Sequence, residues 1–233
     1  MGKTYLELCR AVAAKSGTIS GDGLPVSTVN QAGRLQKIVY WTNEAWQLIQ
    51  NSRENWRWMH GEFEGDLLPG VKRYTAASWN LSRFARWVED QTLHQAFSTL
   101  NPLIGPSDEA VLPQRSYERW RQLYDRGPQT PGRPAMWAVS PLDEFLVGPA
   151  PDVARTLKGE YYKTPQVLAQ DGDVPELPAR FHDIIVYRAL ILLAEYDEAG
   201  GARDMALTSY SEMLVALERE MLPRIGIGGG PIA

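Results

Sequence analysis

The sequence predicts an α+β fold, mainly α: a helical bundle built from the N- and C-terminal segments, a β-rich insertion in the middle, and an extended C-terminal arm. Three observations lead there. Apolar residues recur with a helical period near both ends of the chain. From Trp56 to Pro175, prolines and glycines punctuate short aromatic or β-branched pieces. After Arg224 there is no further charge, and three consecutive glycines follow. The expected organisation is therefore 1–55 with 176–223 as the bundle, 56–175 as an inserted module with one short helix, and 224–233 as a docking arm.

The first helix opens with Thr4 and Glu7, a Thr-x-x-Glu capping box, and turns Leu8, Cys9 and Val12 inward before the loop "SGTISGDG" at 16–23. A second is expected from near Thr28, with Gln31 three residues on. It carries Leu35, Ile38, Val39, Thr42, Ala45, Trp46 and Ile49 at helical spacing. In the middle, "GEFEGDLLPGVKRYTA" reads as two strands around the turn Pro69-Gly70, and "RWVEDQTLHQAF" as a further extended stretch. The insert "SYERWRQLYDRG" reads as a helix with Ser116 as cap, Trp120, Leu123 and Tyr124 inward, and Gly127 as stop. Phe145 and Val147 then enter a Gly148-Pro149 turn, and Thr156, Lys158, Glu160 and Tyr162 alternate on the return, which predicts a hairpin with a solvated face. A third helix is expected from Pro178 to the joint Gly200-Gly201. A fourth, Ala202 to about Leu222, packs antiparallel to it through Ala206, Tyr210, Met213, Leu214, Leu217 and Met221 and stops at Pro223.

Composition narrows the function classes. The longest apolar run, Ile184 to Ala194, is broken by Arg188 and is far shorter than the ~20 residues of a spanning helix, so no membrane is expected. "MGKTYLELCR" lacks the features of a secretory signal, and Leu6 stands where a myristoylation motif has Ser or Thr. Cys9 is the only cysteine, which excludes a disulfide within the chain and fits synthesis in a reducing cytoplasm. A net charge of −4 argues against a dedicated DNA-binding surface and is compatible with a protein that lets DNA pass.

Motifs for catalysis are missing from the pattern. His60, His94 and His182 stand in no metal-ligand spacing, and His182-Asp183 are adjacent on a helix and point about 100° apart. Asp171-Gly-Asp173 with Glu176 has a calcium-like composition without a calcium-loop spacing and reads as a turn. No serine sits in a Gly-x-Ser-x-Gly elbow, and the glycines of "GIGGG" follow a helix where a phosphate cradle would precede one. The expectation is a non-enzyme with no cofactor and no metal. Trp56 and Trp58 are candidates for an inter-subunit contact, since tryptophan is enriched at interfaces. Lys72, Arg73, Arg83 and Arg86 form a basic group in the insert suited to a neck or tail partner.

The order of a long helix ending in "AWQLIQNSRENWRWM", a β-rich insert, "GPAPDVARTLKGEYYKTPQVL", and "DVPELPARFHDIIVYRALILLAEYDEA" resembles the head-to-tail adaptor (connector) proteins of tailed bacteriophages over nearly the whole chain. The resemblance implies a homo-oligomeric ring of twelve copies under the portal protein. Such a ring lets genomic DNA through its lumen without sequence-specific binding and offers a platform to the next neck or tail protein. It places the protein at the head-tail junction of the virion. In that setting the arm residues Arg224, Ile225, Ile227, Gly228, Gly229, Gly230, Pro231 and Ile232 are the expected portal contact, with the three isoleucines as anchors. The rival readings are a monomeric helical scaffold or regulatory protein that binds a partner through its C-terminal peptide, and a hydrolase with a β-rich substrate module.

Overall fold

The computed structural model describes residues 2–17, 23–89 and 96–223. Along the chain run α1 (Tyr5–Lys15), α2 (Gly33–Asn51), β1 (His60–Leu67), β2 (Arg73–Tyr74), β3 (Phe84–Trp87), β4 (Ser98–Leu100), β5 (Ala110–Val111), α3 (Tyr117–Trp120), β6 (Met136–Val139), β7 (Phe145–Gly148), β8 (Arg155–Lys163), α4 (Asp183–Tyr196) and α5 (Gly200–Met221). The fold is α+β. Two compact units divide it: Met1–Trp58 with Pro165–Ala233, and Met59–Thr164.

In the first unit α4 packs against α1, α2 and α5. Its apolar run explains that position, because Ile184, Ile185, Val186, Ala189, Ile191, Leu193 and Ala194 are buried on more than one face. The capping box of α1 forms in full: the Glu7 amide donates to Thr4 Oγ1 and the Thr4 amide to Glu7 Oε2. Leu8, Cys9 and Val12 are fully buried beneath it.

Polar clasps tie residues 165–173 into this unit. The Gln50 side chain brackets the backbone of Gln166, accepting from its amide at 2.7 Å and donating to its carbonyl at 2.9 Å. The carboxylate of Asp171 accepts from the Thr28 amide, the Thr28 hydroxyl and Ser27 Oγ, which holds its pKa below the usual carboxylate range. That clasp corrects the expected start of α2. With its hydroxyl given to Asp171, Thr28 caps no helix, and α2 begins at Gly33 behind Ala32, which offers no side-chain cap.

The α4–α5 reversal also differs from expectation. Gly200 and Gly201 are the first turn of α5, and the reversal is Asp197–Ala199. Glu198 takes the left-handed conformation (φ 54°) normally given to glycine. Its amide donates to Glu195 O and the Ala199 amide to Ala194 O, the two bonds of a Schellman cap.

In the second unit β8 is the centre of a five-stranded antiparallel sheet. It pairs with β1 on one side and with β3 and β4 on the other, and β5 extends β4. A second antiparallel sheet has the order β2-β7-β6. The cluster of Trp87, Phe97, Trp137, Phe145, Leu157 and Tyr161 draws on strands of both sheets. On β7, Phe145 and Val147 face that cluster while Leu146 packs with Trp120 and Ala138. Ser116 caps α3 as expected, accepting from the Arg119 amide. Gly159 lies directly opposite Phe63, and a Cβ there would meet Phe97 at 2.3 Å, so only glycine lets both rings lie on the sheet.

Pairing is where the strand expectations need correction. β1 and β2 flank the Pro69-Gly70 turn, yet β1 pairs with β8 and β2 with β7. The expected hairpin of β7 and β8 does not form, because the two strands belong to different sheets. A strand buried on both faces, as β7 is, needs a neighbour on each edge and finds them in β2 and β6. The expected stretch "RWVEDQTLHQAF" takes in only the end of β3, Arg86 and Trp87, and its residues 90–95 lie outside the described part.

Candidate docking surfaces

The arm residues Arg224, Ile225, Ile227, Gly228, Gly229, Gly230, Pro231 and Ile232 lie outside the described residues, as does His94. The described chain ends with α5 and Pro223. Of this longest helix only Ala206 and Leu217 are buried. Met205 is 76% exposed and Val215 56% exposed, so α5 leaves apolar side chains uncovered.

Where α5 meets the C-terminal half of α4, a groove of about 300 Å³ opens, lined mainly by apolar side chains that include Tyr187, Leu190, Leu193, Ala194, Met205 and Ala206. One lip is fixed by Arg34, whose guanidinium donates two parallel bonds to Asp197 at 2.9 and 2.6 Å and lowers the pKa of that carboxyl. The other lip carries Lys15, which lies over the Tyr187 ring at 4.2 Å and donates to its hydroxyl. Sequence reading missed this groove. A signal was present: Met205, which lines the groove, falls outside the inward set Ala206, Tyr210, Met213, Leu214, Leu217 and Met221.

Trp56 and Trp58, expected near a subunit contact, are 0% and 8% exposed. Their indoles stack on each other at 4.4 Å, Trp58 stacks on Trp46 at 6.1 Å, and Trp56 Nε1 donates to Ile49 O. Both rings therefore have core partners within their own chain.

The four basic residues of the insert fall into two groups. Lys72 donates to Tyr124 O at 2.6 Å, and Arg73 pairs with Asp125 and Glu144, both at 3.0 Å. Arg86 lies over the Tyr162 ring at 4.3 Å, and the Arg83 carbonyl accepts from the Thr164 amide. Elsewhere in this unit the loop after β4 carries Leu103 (94% exposed) and Ile104 (60%). It is braced from within: Asp108 accepts from the Asn101 amide at 2.7 Å and pairs with Arg133 and the buried Arg155. The loop thus presents two aliphatic side chains on a fixed backbone.

Among the described residues, His60 and His182 have structural partners. The Lys3 amide donates to His182 Nδ1, and Nε2 bonds Leu177 O, which fastens the start of α1 to the approach to α4. Asp183 turns instead to Lys3 Nζ. His60 Nε2 meets Glu160 at 2.9 Å on the β1–β8 face. Asp173, the second carboxylate of the Asp-Gly-Asp segment, caps the turn at Ala169 and Gln170. Among the described residues, no three His, Cys, Asp or Glu side chains are grouped to hold a metal ion, and no helix is long and apolar enough to cross a membrane.

A structure whose prominent features are exposed apolar faces directs attention to assembly. The family model described as the SU10 adaptor protein matches residues 3–225. The chain belongs to the SU10 adaptor family. These are phage adaptor proteins, and membership agrees with a structural role. No curated protein sequence matches the chain. The match spans both compact units, so the helical and β-rich parts belong to one family pattern rather than to two joined proteins.

Proposed function

We propose that this chain is the structural head-to-tail adaptor of a tailed phage: a ring, of twelve copies, fixed beneath the portal and extending the DNA channel to the neck and tail. The match to the adaptor family over residues 3–225 carries the reading. The exposed apolar side of α5 supports it, since a ring needs surface for neighbouring copies that a monomer does not. Portal contact is made by the arm residues Arg224, Ile225, Ile227, Gly228, Gly229, Gly230, Pro231 and Ile232, with the three isoleucines as anchors and the three glycines allowing close backbone approach. Burial of each isoleucine contributes about 1.5–3 kcal/mol, and the ring multiplies it.

The inserted module meets the next neck or tail protein. The braced Leu103–Ile104 loop supports this, with Lys72, Arg73, Arg83 and Arg86 as charged contacts at its other surfaces. DNA passes through the lumen without sequence-specific binding, which a net charge of −4 allows. The protein is made in the host cytoplasm and ends in the virion.

Light scattering of the purified chain, alone and mixed with portal protein, tests the reading. A ring-sized species with portal is expected, and deletion of residues 224–233 abolishes it. A chain that stays monomeric and ignores the portal sinks the proposal.

A further inference from the structure

β1 ends the five-stranded sheet: it runs for eight residues, His60–Leu67, and pairs with β8 along one edge only. Two bonds fix which of its backbone groups turn outward. The Val88 amide donates to Glu160 O, so Glu160 directs its backbone toward β3, and its neighbours Gly159 and Tyr161 direct theirs toward β1. Phe63 and Gly61, opposite those two, are therefore the residues bonded to β8, while Glu62 and Glu64 point their amides and carbonyls away from it. Trp79 Nε1 donates to Asp66 O from outside the pair, which agrees with this parity and closes that end of the edge. Between the two ends, the amides and carbonyls of Glu62 and Glu64 have no bonding partner among the described residues.

The same stretch is charged. Glu62, Glu64 and Asp66 are exposed on one face of the strand. Among the described residues none of the three forms an ion pair: Glu160, across from Glu62, is engaged by His60, and Lys158, across from Glu64, is engaged by Glu109. Such an edge selects its occupant. A second copy of β1 laid against it would set these carboxylates against their own counterparts, which like charge disfavours. The edge fits instead an extended segment that completes the backbone bonds and carries a cation at every second position on the carboxylate face.

We propose that the free edge of β1 receives a strand of the neck or tail protein, paired backbone to backbone with Glu62 and Glu64 and bearing Lys or Arg at alternate positions. The source of that strand rests on the reading that the inserted module meets the next neck or tail protein. The edge itself rests on the β-rich unit alone. Backbone bonds hold the strand, and the carboxylates set its charge and its register.

Amide hydrogen exchange of the full chain, followed residue by residue with a peptide of alternating threonine and lysine, tests this. In the free chain Gly61, Phe63 and Gly65 are expected to exchange slowly and Glu62 and Glu64 fast. Peptide at ten times its Kd should slow Glu62 and Glu64 by about tenfold. The same peptide N-methylated at the amides facing β1 should give no slowing, nor should a peptide of alternating threonine and glutamate. The double change Glu62→Lys and Glu64→Lys, both on the exposed face, should reverse the preference between the lysine and glutamate peptides. Slow exchange at Glu62 and Glu64 without peptide overturns the proposal, because the edge is then already covered. Equal binding of the N-methylated peptide also overturns it, because charge alone is then the attraction, as does an absence of slowing at both amides. Light scattering with portal protein is scored apart: a chain that forms the ring but gives no slowing rejects the strand edge and leaves the adaptor reading standing, whereas slowing in a chain that ignores the portal supports the edge and rejects that reading.

Discussion

The two units each depend on one element, and the two elements are built differently. In the first unit α4 is a continuous apolar helix that meets α1, α2 and α5. In the second, β8 meets β1, β3 and β4 through its edges, and alternation divides its faces: Arg155, Leu157, Gly159 and Tyr161 are buried, while Thr156, Lys158, Glu160 and Tyr162 are half-buried. A helix satisfies its own backbone and is positioned by packing alone, whereas β8 requires its partners for hydrogen bonds as well. The helical unit should therefore tolerate local damage better than the β-rich one.

The largest test of that contrast is Trp87→Ala. Trp87 is 1% exposed, lies within 6 Å of the ring centroids of Phe63, Trp79, Phe84 and Phe145, and donates from Nε1 to Asp143 O at 2.8 Å. Removing the indole costs about 3–5 kcal/mol, close to the whole stability of a small domain. Near-UV circular dichroism should lose the aromatic signal of the second unit, while the share from the Trp46, Trp56 and Trp58 stack and most of the helical signal at 222 nm persist. Simultaneous loss of both would show that the units do not keep separate cores.

The same contrast explains what could be read in the sequence. Periodicity located α1, most of α2, α4 and α5, because a helix is written in residues three and four apart. It also found β1, β7 and β8 as extended pieces. It could not pair them: β1 joins β8 across about 95 residues of chain, with His60 opposite Tyr162, and nothing local encodes that register. The groove was missed for a similar reason, since its lining comes from α4 and α5 together with Lys15 and Arg34. Local chemistry misled in two places. Thr28 has the identity of a cap but serves Asp171, and Gly200-Gly201 has the identity of a joint while Glu198 takes the left-handed position.

Asp171 offers a test of intermediate size within the helical unit. Its carboxylate accepts three bonds from Thr28 and Ser27, so its folded pKa lies below the ordinary value of about 3.9. The sign follows: the clasp stabilises the fold fully above the unfolded pKa and is lost as pH falls through the folded value. Asp171→Asn should lower Tm by a few degrees at neutral pH. The gap from the parent should stay constant down to about pH 5 and close below about pH 4. A gap that is unchanged at pH 3 would mean the loss came from packing.

The smallest effect is expected at the lip of the groove. Arg34 and Asp197 have favourable bidentate geometry, yet their side chains are 39% and 27% exposed, so water and salt screen the attraction and the pair is worth about 0.2–1 kcal/mol. A second term opposes simple bookkeeping. Asp197 is the C-cap of α4, where the helix end carries partial negative charge and an acidic side chain is unfavourable. Arg34→Ala therefore removes an attraction and also exposes a repulsion, whereas Asp197→Asn removes both together. The single change Arg34→Ala should destabilise by more than Asp197→Asn, and adding Asp197→Asn to Arg34→Ala should recover part of the loss. Urea midpoints of the three variants at low and at 1 M salt read this out: the ordering holds at low salt and collapses at high salt. An ordering that survives 1 M salt would mean that Arg34 acts through the packing of its stem against α4 rather than through its charge.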